Sequence, residues 1–296
     1  MVTATVMTSG QPLGWHLSFA GLIAVFGLFG GYVWATRDPA RRPTRRQFFF
    51  FTLGTLALLV AVMWPLGPLA AHWLLLALVL QRLLLMLAVP PLLVLGTPAP
   101  LITSLTRPAP IDAILRVAVR PVPAILIVTA IAVGTLTTGA VSLATSSTVA
   151  RILLQCLILI AGFVMWAPVL THLPGTRHLS ALARGGYLIV QSIVPSFLSV
   201  VWIFARRPLY PAYSHATVFG MKPLLDQQLS GFAAKLSTIF VLWTVAFVIM
   251  TKAKVMDGEE EDADPLIWSD VEREIERADR KERWNRWLPP SADSPQ

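Results

Sequence analysis

Seven apolar runs divide the first 250 positions, at 15–36, 48–66, 69–96, 122–145, 149–170, 185–205 and 229–250, and the polar residues collect between them. A helix needs about 20 apolar residues to cross the hydrocarbon core. The pattern therefore predicts an all-α, polytopic membrane protein of seven transmembrane helices. The first run is too long for a signal-peptide core and has no positive flank before it, so it is expected to stay uncleaved. Five arginines follow it between Arg37 and Arg46. Basic loops stay on the cytoplasmic side, which puts the N-terminus outside and the C-terminus in the cytoplasm.

Breaks in the pattern predict where the helices turn. Gly67-Pro68 reads as a tight external turn between the second and third runs. The third run is longer than a bilayer requires and contains Pro90-Pro91, which predicts a tilted helix with a kinked inner end. Arg82 would lie about 20 Å from Leu69 at 1.5 Å per residue, near mid-membrane. Residues 98–121 read as a cytoplasmic loop with a short interfacial helix. The stretch from Gly134 to Ser142 is small and polar, a composition that allows close helix packing. Pro195 interrupts the sixth run.

Composition agrees with a membrane body: 55% hydrophobic residues, 14% charged residues and a mean hydropathy of +0.66. The net charge of +8 is unevenly placed, because thirteen of the sixteen acidic residues lie from Asp257 onward. The basic excess thus belongs to the short loops and reads as topology, with lipid as the partner. A nucleic-acid partner is not expected, since no extended basic groove with aromatics is formed. Cys156 is the only cysteine, so an intramolecular disulfide is excluded. The expected division is a membrane domain at 1–251 and a charged cytoplasmic tail at 252–296. In that tail Ser269 and Glu272 have capping-box spacing, Glu276 with Arg280 and Asp279 with Arg283 are four apart, and Val271, Ile275 and Ala278 make a thin apolar stripe.

No nucleotide, zinc-protease or serine-hydrolase motif is present, and no enzyme is predicted. The candidates are polar groups in an apolar setting, which are costly there and need a partner or a role. Arg82, beside Gln81, is one; its readings are a gate or ion partner and a structural staple. Asp226-Gln227-Gln228, at the mouth of the last run, is another, with Arg82 as its candidate counterpart in another helix. Lys235 lies nine residues beyond Asp226, on the opposite face at 100° per residue, so the two are not expected to pair. Polar groups on both faces predict that the last helix sits between neighbours instead of facing lipid. His16, His72 and His215 fall at external span ends, with Met63 and Met221 near them in sequence. Imidazole and thioether suit copper, although three unrelated interfacial histidines would look the same. Met86, Cys156 and Met165 read as core residues.

LGTLALLVAVMWPLGPLA, LQRLLLMLAVPPLLVLGTP, FVMWAPVL, and above all PLYPAY followed by LLDQQLSG, resemble the CtaG-type cytochrome c oxidase assembly factors over most of residues 15–251. The resemblance implies a seven-span protein of the bacterial inner membrane, a non-enzymatic role in oxidase maturation, oxidase subunits as partners and copper as a possible cofactor. It also implies a histidine pair four apart in the third span. Leu78 and Arg82 stand in those places, and Cys156 falls near a further family histidine. Neither leucine nor arginine ligates copper, which leaves an external site with His72 and His215, a copper-handling or transport role, and a metal-free scaffold as alternatives.

Overall fold

A computed structural model of the chain describes residues 19–63, 65–170, 179–214, 220–263 and 265–287. Among them are thirteen α-helices, two 3-10 turns and one π-helical turn, with no β-strand. Two compact units are formed, Met1–Phe247 and Val248–Gln296. Five helical stretches of the described residues are long and apolar enough to cross a membrane, or six if one bent pair is a single span. The expected all-helical membrane architecture is present. The seven spans expected are not all matched by long helices.

Helix α1 (Phe19–Ala35) has 17 residues, at the short limit for a span. Its Tyr32 stacks on Phe51 of α2 (Arg45–Val62), with centroids 3.6 Å apart and planes 9° from parallel. Thr44 starts α2 with a capping box that went unread in the sequence: its hydroxyl accepts from Gln47 N, and Gln47 Oε1 accepts from Thr44 N. α3 (Leu66–His72) extends the same apolar stretch to His72. The turn expected at Gly67-Pro68 is therefore helix. Pro68 falls in the first turn of α3, where a missing N–H costs little. The chain reverses at Trp73-Leu74 instead, where Leu74 is extended.

The third span is α4 (Leu75–Leu83), a π turn (Leu84–Ala88) and α5 (Val89–Gly96). Pro90 has no N–H to give the carbonyl four residues back, that of Met86. The π turn takes up the misfit, and Trp166 Nε1 donates to Met86 O at 3.2 Å. Gly162 lets the helix carrying Trp166, α10 (Thr148–Trp166), approach this closely. A Cβ at Gly162 would lie 2.7 Å from Pro90 Cγ and 2.9 Å from Met86 O.

Residues 98–121 hold two short helices, α6 (Ala99–Thr106) and α7 (Ala109–Ala118), where one was expected. α7 meets α8 (Pro121–Thr135) at 97°. The fourth span is then broken at Leu136-Thr137 before α9 (Thr138–Ser146). α11 (Ala181–Ile203) runs through Pro195 without a break.

In α12 (Pro223–Ala263), Phe232, Leu236, Phe240 and Phe247 form an exposed apolar stripe at helical spacing. One face of this helix is thus open, and the expectation that it sits between neighbours on both faces is corrected. Its other face is buried at Asp226, Gln227, Ser230, Thr238, Leu242 and Ala246. Gly231 sets the approach to α11, since a Cβ there would lie 2.8 Å from Ser199 O.

In the second unit, α13 (Pro265–Trp287) begins before Ser269, so the expected Ser269–Glu272 capping box is inside the helix. Proline at the first helical position starts it instead. Glu276 and Arg280 pair at 4.0 Å, whereas Arg283 Nε donates to the main-chain oxygen of Asp279 and not to its carboxylate. Val271 and Ile275 are exposed.

Candidate functional site

The first four N–H groups of a helix have no intrahelical acceptor, and in hydrocarbon there is no water to supply one. α4 starts at Leu75 with no cap from its own neighbourhood. Asp226 supplies it from 151 residues away: Oδ2 accepts from Leu75 N at 2.7 Å, and Oδ1 accepts from Leu76 N at 3.0 Å. A carboxylate is suited to this position, because it meets both the donors and the positive end of the helix dipole. Asp226 is held in turn by Ser230, whose hydroxyl donates to Asp226 O at 2.7 Å.

The next two residues fasten the segment that enters α12. Gln227 Oε1 accepts from Leu209 N at 2.6 Å, and Gln228 Nε2 donates to Ala205 O at 3.3 Å. Tyr210 and Tyr213 complete the latch from the 3-10 turn Pro211–Tyr213 and the residue before it. Tyr210 donates its hydroxyl to Leu136 O, at the break between α8 and α9, at 2.7 Å. Tyr213 donates to Ala70 O, in the last turn of α3, at 2.5 Å. Trp202 of α11 meets the Tyr210 ring edge-on at 5.7 Å. Burial raises the Tyr210 hydroxyl to about 12 and pushes Tyr213 up as well, so both remain protonated donors. Asp226-Gln227-Gln228, Tyr210 and Tyr213 together join the ends of α3, α4, α8, α11 and α12.

Arg82 lies below this latch. With α4 starting at Leu75 and not Leu69, it is about 10 Å from the helix start instead of about 20 Å. It is buried, forms no ion pair with Asp226, and leaves Nη1 without a hydrogen-bond partner. The counterpart of Asp226 is the α4 backbone, not Arg82. Neighbouring Gln81 donates from Nε2 to Ala61 O at 2.6 Å, which staples α4 to α2. Lys235 is half-buried.

Cys156 is exposed and not a core residue as expected; with His72, Arg151 and Gln155 it lines one cavity of about 490 Å3. His16 and His215 lie outside the described residues, so the expected His72–His215 site does too. Met221 is half-buried beside the latch core. Among the described residues, no three His, Cys, Asp or Glu side chains are placed to hold a metal. At the place of the usual histidine pair, a buried alkyl group at Leu78 and a guanidinium at Arg82 do not fit copper.

The tyrosines carry the signal that sequence reading missed. All four in the chain donate across to a carbonyl of another helix end or helix break: Tyr32 to Gly96, Tyr187 to Met165, Tyr210 to Leu136 and Tyr213 to Ala70. Such carbonyls are the acceptors a helix terminus leaves open.

No curated protein and no solved structure matches the chain. A family model does, that of the Cytochrome c oxidase caa3 assembly factor (Caa3_CtaG), over residues 30–254. That range takes in the arginine loop, the proline-bent third span, Trp166, the Tyr210–Tyr213 segment and Asp226-Gln227-Gln228. Matched over more than half its length, the chain belongs to the cytochrome c oxidase caa3 assembly factor family.

Proposed function

We propose that this chain is a non-enzymatic, membrane-embedded factor for the assembly of cytochrome c oxidase, and that its latch presents a fixed surface to an oxidase subunit. The supporting observation is the two-bond cap of Asp226 on α4, inside the matched region. A carboxylate spent on backbone donors holds shape and leaves no acid for proton transfer. Arg82 and Gln227, each with a buried nitrogen lacking a partner, are the polar groups of this region with capacity left. Cells without the chain are expected to lose oxidase while total cell copper stays unchanged. A transporter would give the reverse, altered copper with oxidase intact.

The proposed topology has seven spans: α1, α2 with α3, 75–96, α8 with α9, α10, α11 and α12. It puts the latch and the N-terminus outside the bacterial inner membrane and the tail from residue 252 in the cytoplasm. The arginine loop supports it. A cysteine at Thr8, in a Cys156→Ser background, should react with an impermeant maleimide in intact cells, and one at Ser291 should not. Labelling of both would mean an even number of spans.

A copper-handling role is favoured by one observation, the shared cavity of His72 and Cys156. Under that reading Cys156→Ser and His72→Ala each lower the copper bound by the purified protein. Under the assembly-scaffold reading preferred here, neither changes it.

A further inference from the structure

Arg82 forms part of the wall of a second cavity, of about 60 Å3, between α4, α8, α11 and α12. By the same measure a water needs about 10–15 Å3, so the space takes roughly four groups of that size. Its walls are apolar apart from Arg82, Thr129, Ser199 and Thr238, and the Ser199 hydroxyl is already given to Pro195 O. Val133, which also lines it, is exposed on the surface of α8.

The charge is uncompensated. Nη1 has no partner, and no ion pair to Arg82 exists among the described residues. Asp226 has both oxygens committed to Leu75 and Leu76. Tyr210 and Tyr213 are within electrostatic reach of Arg82, but their hydroxyl protons go to Leu136 O and Ala70 O. A buried cation without a counter-ion is costly, and a guanidinium is shaped to receive a carboxylate through two parallel N–H donors.

From this cavity we infer a binding site for a long-chain carboxylate taken from the bilayer, with its head on Arg82 and its chain leaving past Val133. The volume holds a carboxyl group and one or two methylenes. The apolar walls exclude a fully hydrated small anion, and the exposed rim admits an acyl chain from the membrane.

The test is binding of cis-parinaric acid, a fluorescent long-chain carboxylate, to the purified full chain in detergent. Saturable binding of one molecule per chain is expected, displaced by oleate and not by acetate or chloride. The parinaric methyl ester and the Arg82→Gln variant should each bind at least tenfold more weakly. Ala132→Phe fills the cavity from α8 and leaves Arg82 in place. If Arg82→Gln does not fold, loss of binding in Ala132→Phe with unchanged elution of the protein carries the same weight. Equal binding of acid and ester, displacement by acetate or chloride, or undiminished binding in both variants would overturn the inference.

Discussion

Asp226→Ala should lower the thermal stability of the purified protein more than any other single polar-to-alanine change in the latch. The carboxylate satisfies two donors at the start of α4, one of them fully buried. Leaving a buried donor unpaired costs about 1–3 kcal/mol, so the pair amounts to roughly 3 kcal/mol. By the scaling for chains of similar size, that is a fall on the order of 5–10 °C in Tm. Asp226→Asn keeps the shape with one acceptor oxygen in place of two and should fall about half as far. Gln228→Ala removes a longer bond, 3.3 Å to Ala205 O, and should cost under about 1 kcal/mol. Thermal melts of the three variants, followed by size-exclusion fluorescence in one detergent, give the order. A Gln228→Ala loss equal to that of Asp226→Ala would remove the cap from its central place.

The second large effect is steric. Gly162→Val should prevent α10 from closing on the π turn, because even the first added carbon falls within 3.0 Å of Pro90 Cγ, Met86 Cα and Met86 O. Overpacking of a fitted core costs about 1–3 kcal/mol, and the Trp166–Met86 hydrogen bond would be lost with it. Folded yield in membranes should drop severalfold. Trp166→Phe, which removes the donor and keeps most of the ring, should show a milder loss of about 1 kcal/mol. Gly139 is the control, since nothing lies within 4 Å of a Cβ built there and Gly139→Ala should be silent.

Apolar run lengths made the helical membrane class legible, and Pro90-Pro91 marked the irregular third span, because both are local properties of the chain. The turn was misplaced for a local reason as well. Gly67-Pro68 carries turn chemistry, but proline in the first turn of a helix is equally well satisfied, and the true reversal at Trp73-Leu74 has no turn residue. Shifting that turn brought Arg82 six residues nearer the start of its helix. Asp226 could be singled out as a polar group needing a partner, yet the partner is backbone 151 positions away, and backbone donors have no sequence signature. The tyrosine donors were hidden for the same reason. His72 on α3 and Cys156 on α10 line one cavity although they are far apart in the chain, and nothing local in the sequence marks that.

The reduced-minus-oxidised spectrum of membranes from cells lacking the chain, with the chain restored as wild type, Asp226→Asn or not at all, tests the assembly role most directly. The account predicts that the oxidase haem band is absent without the chain, returns with the wild type and returns only in part with Asp226→Asn at equal protein level. An undiminished oxidase band in cells lacking the chain would contradict it.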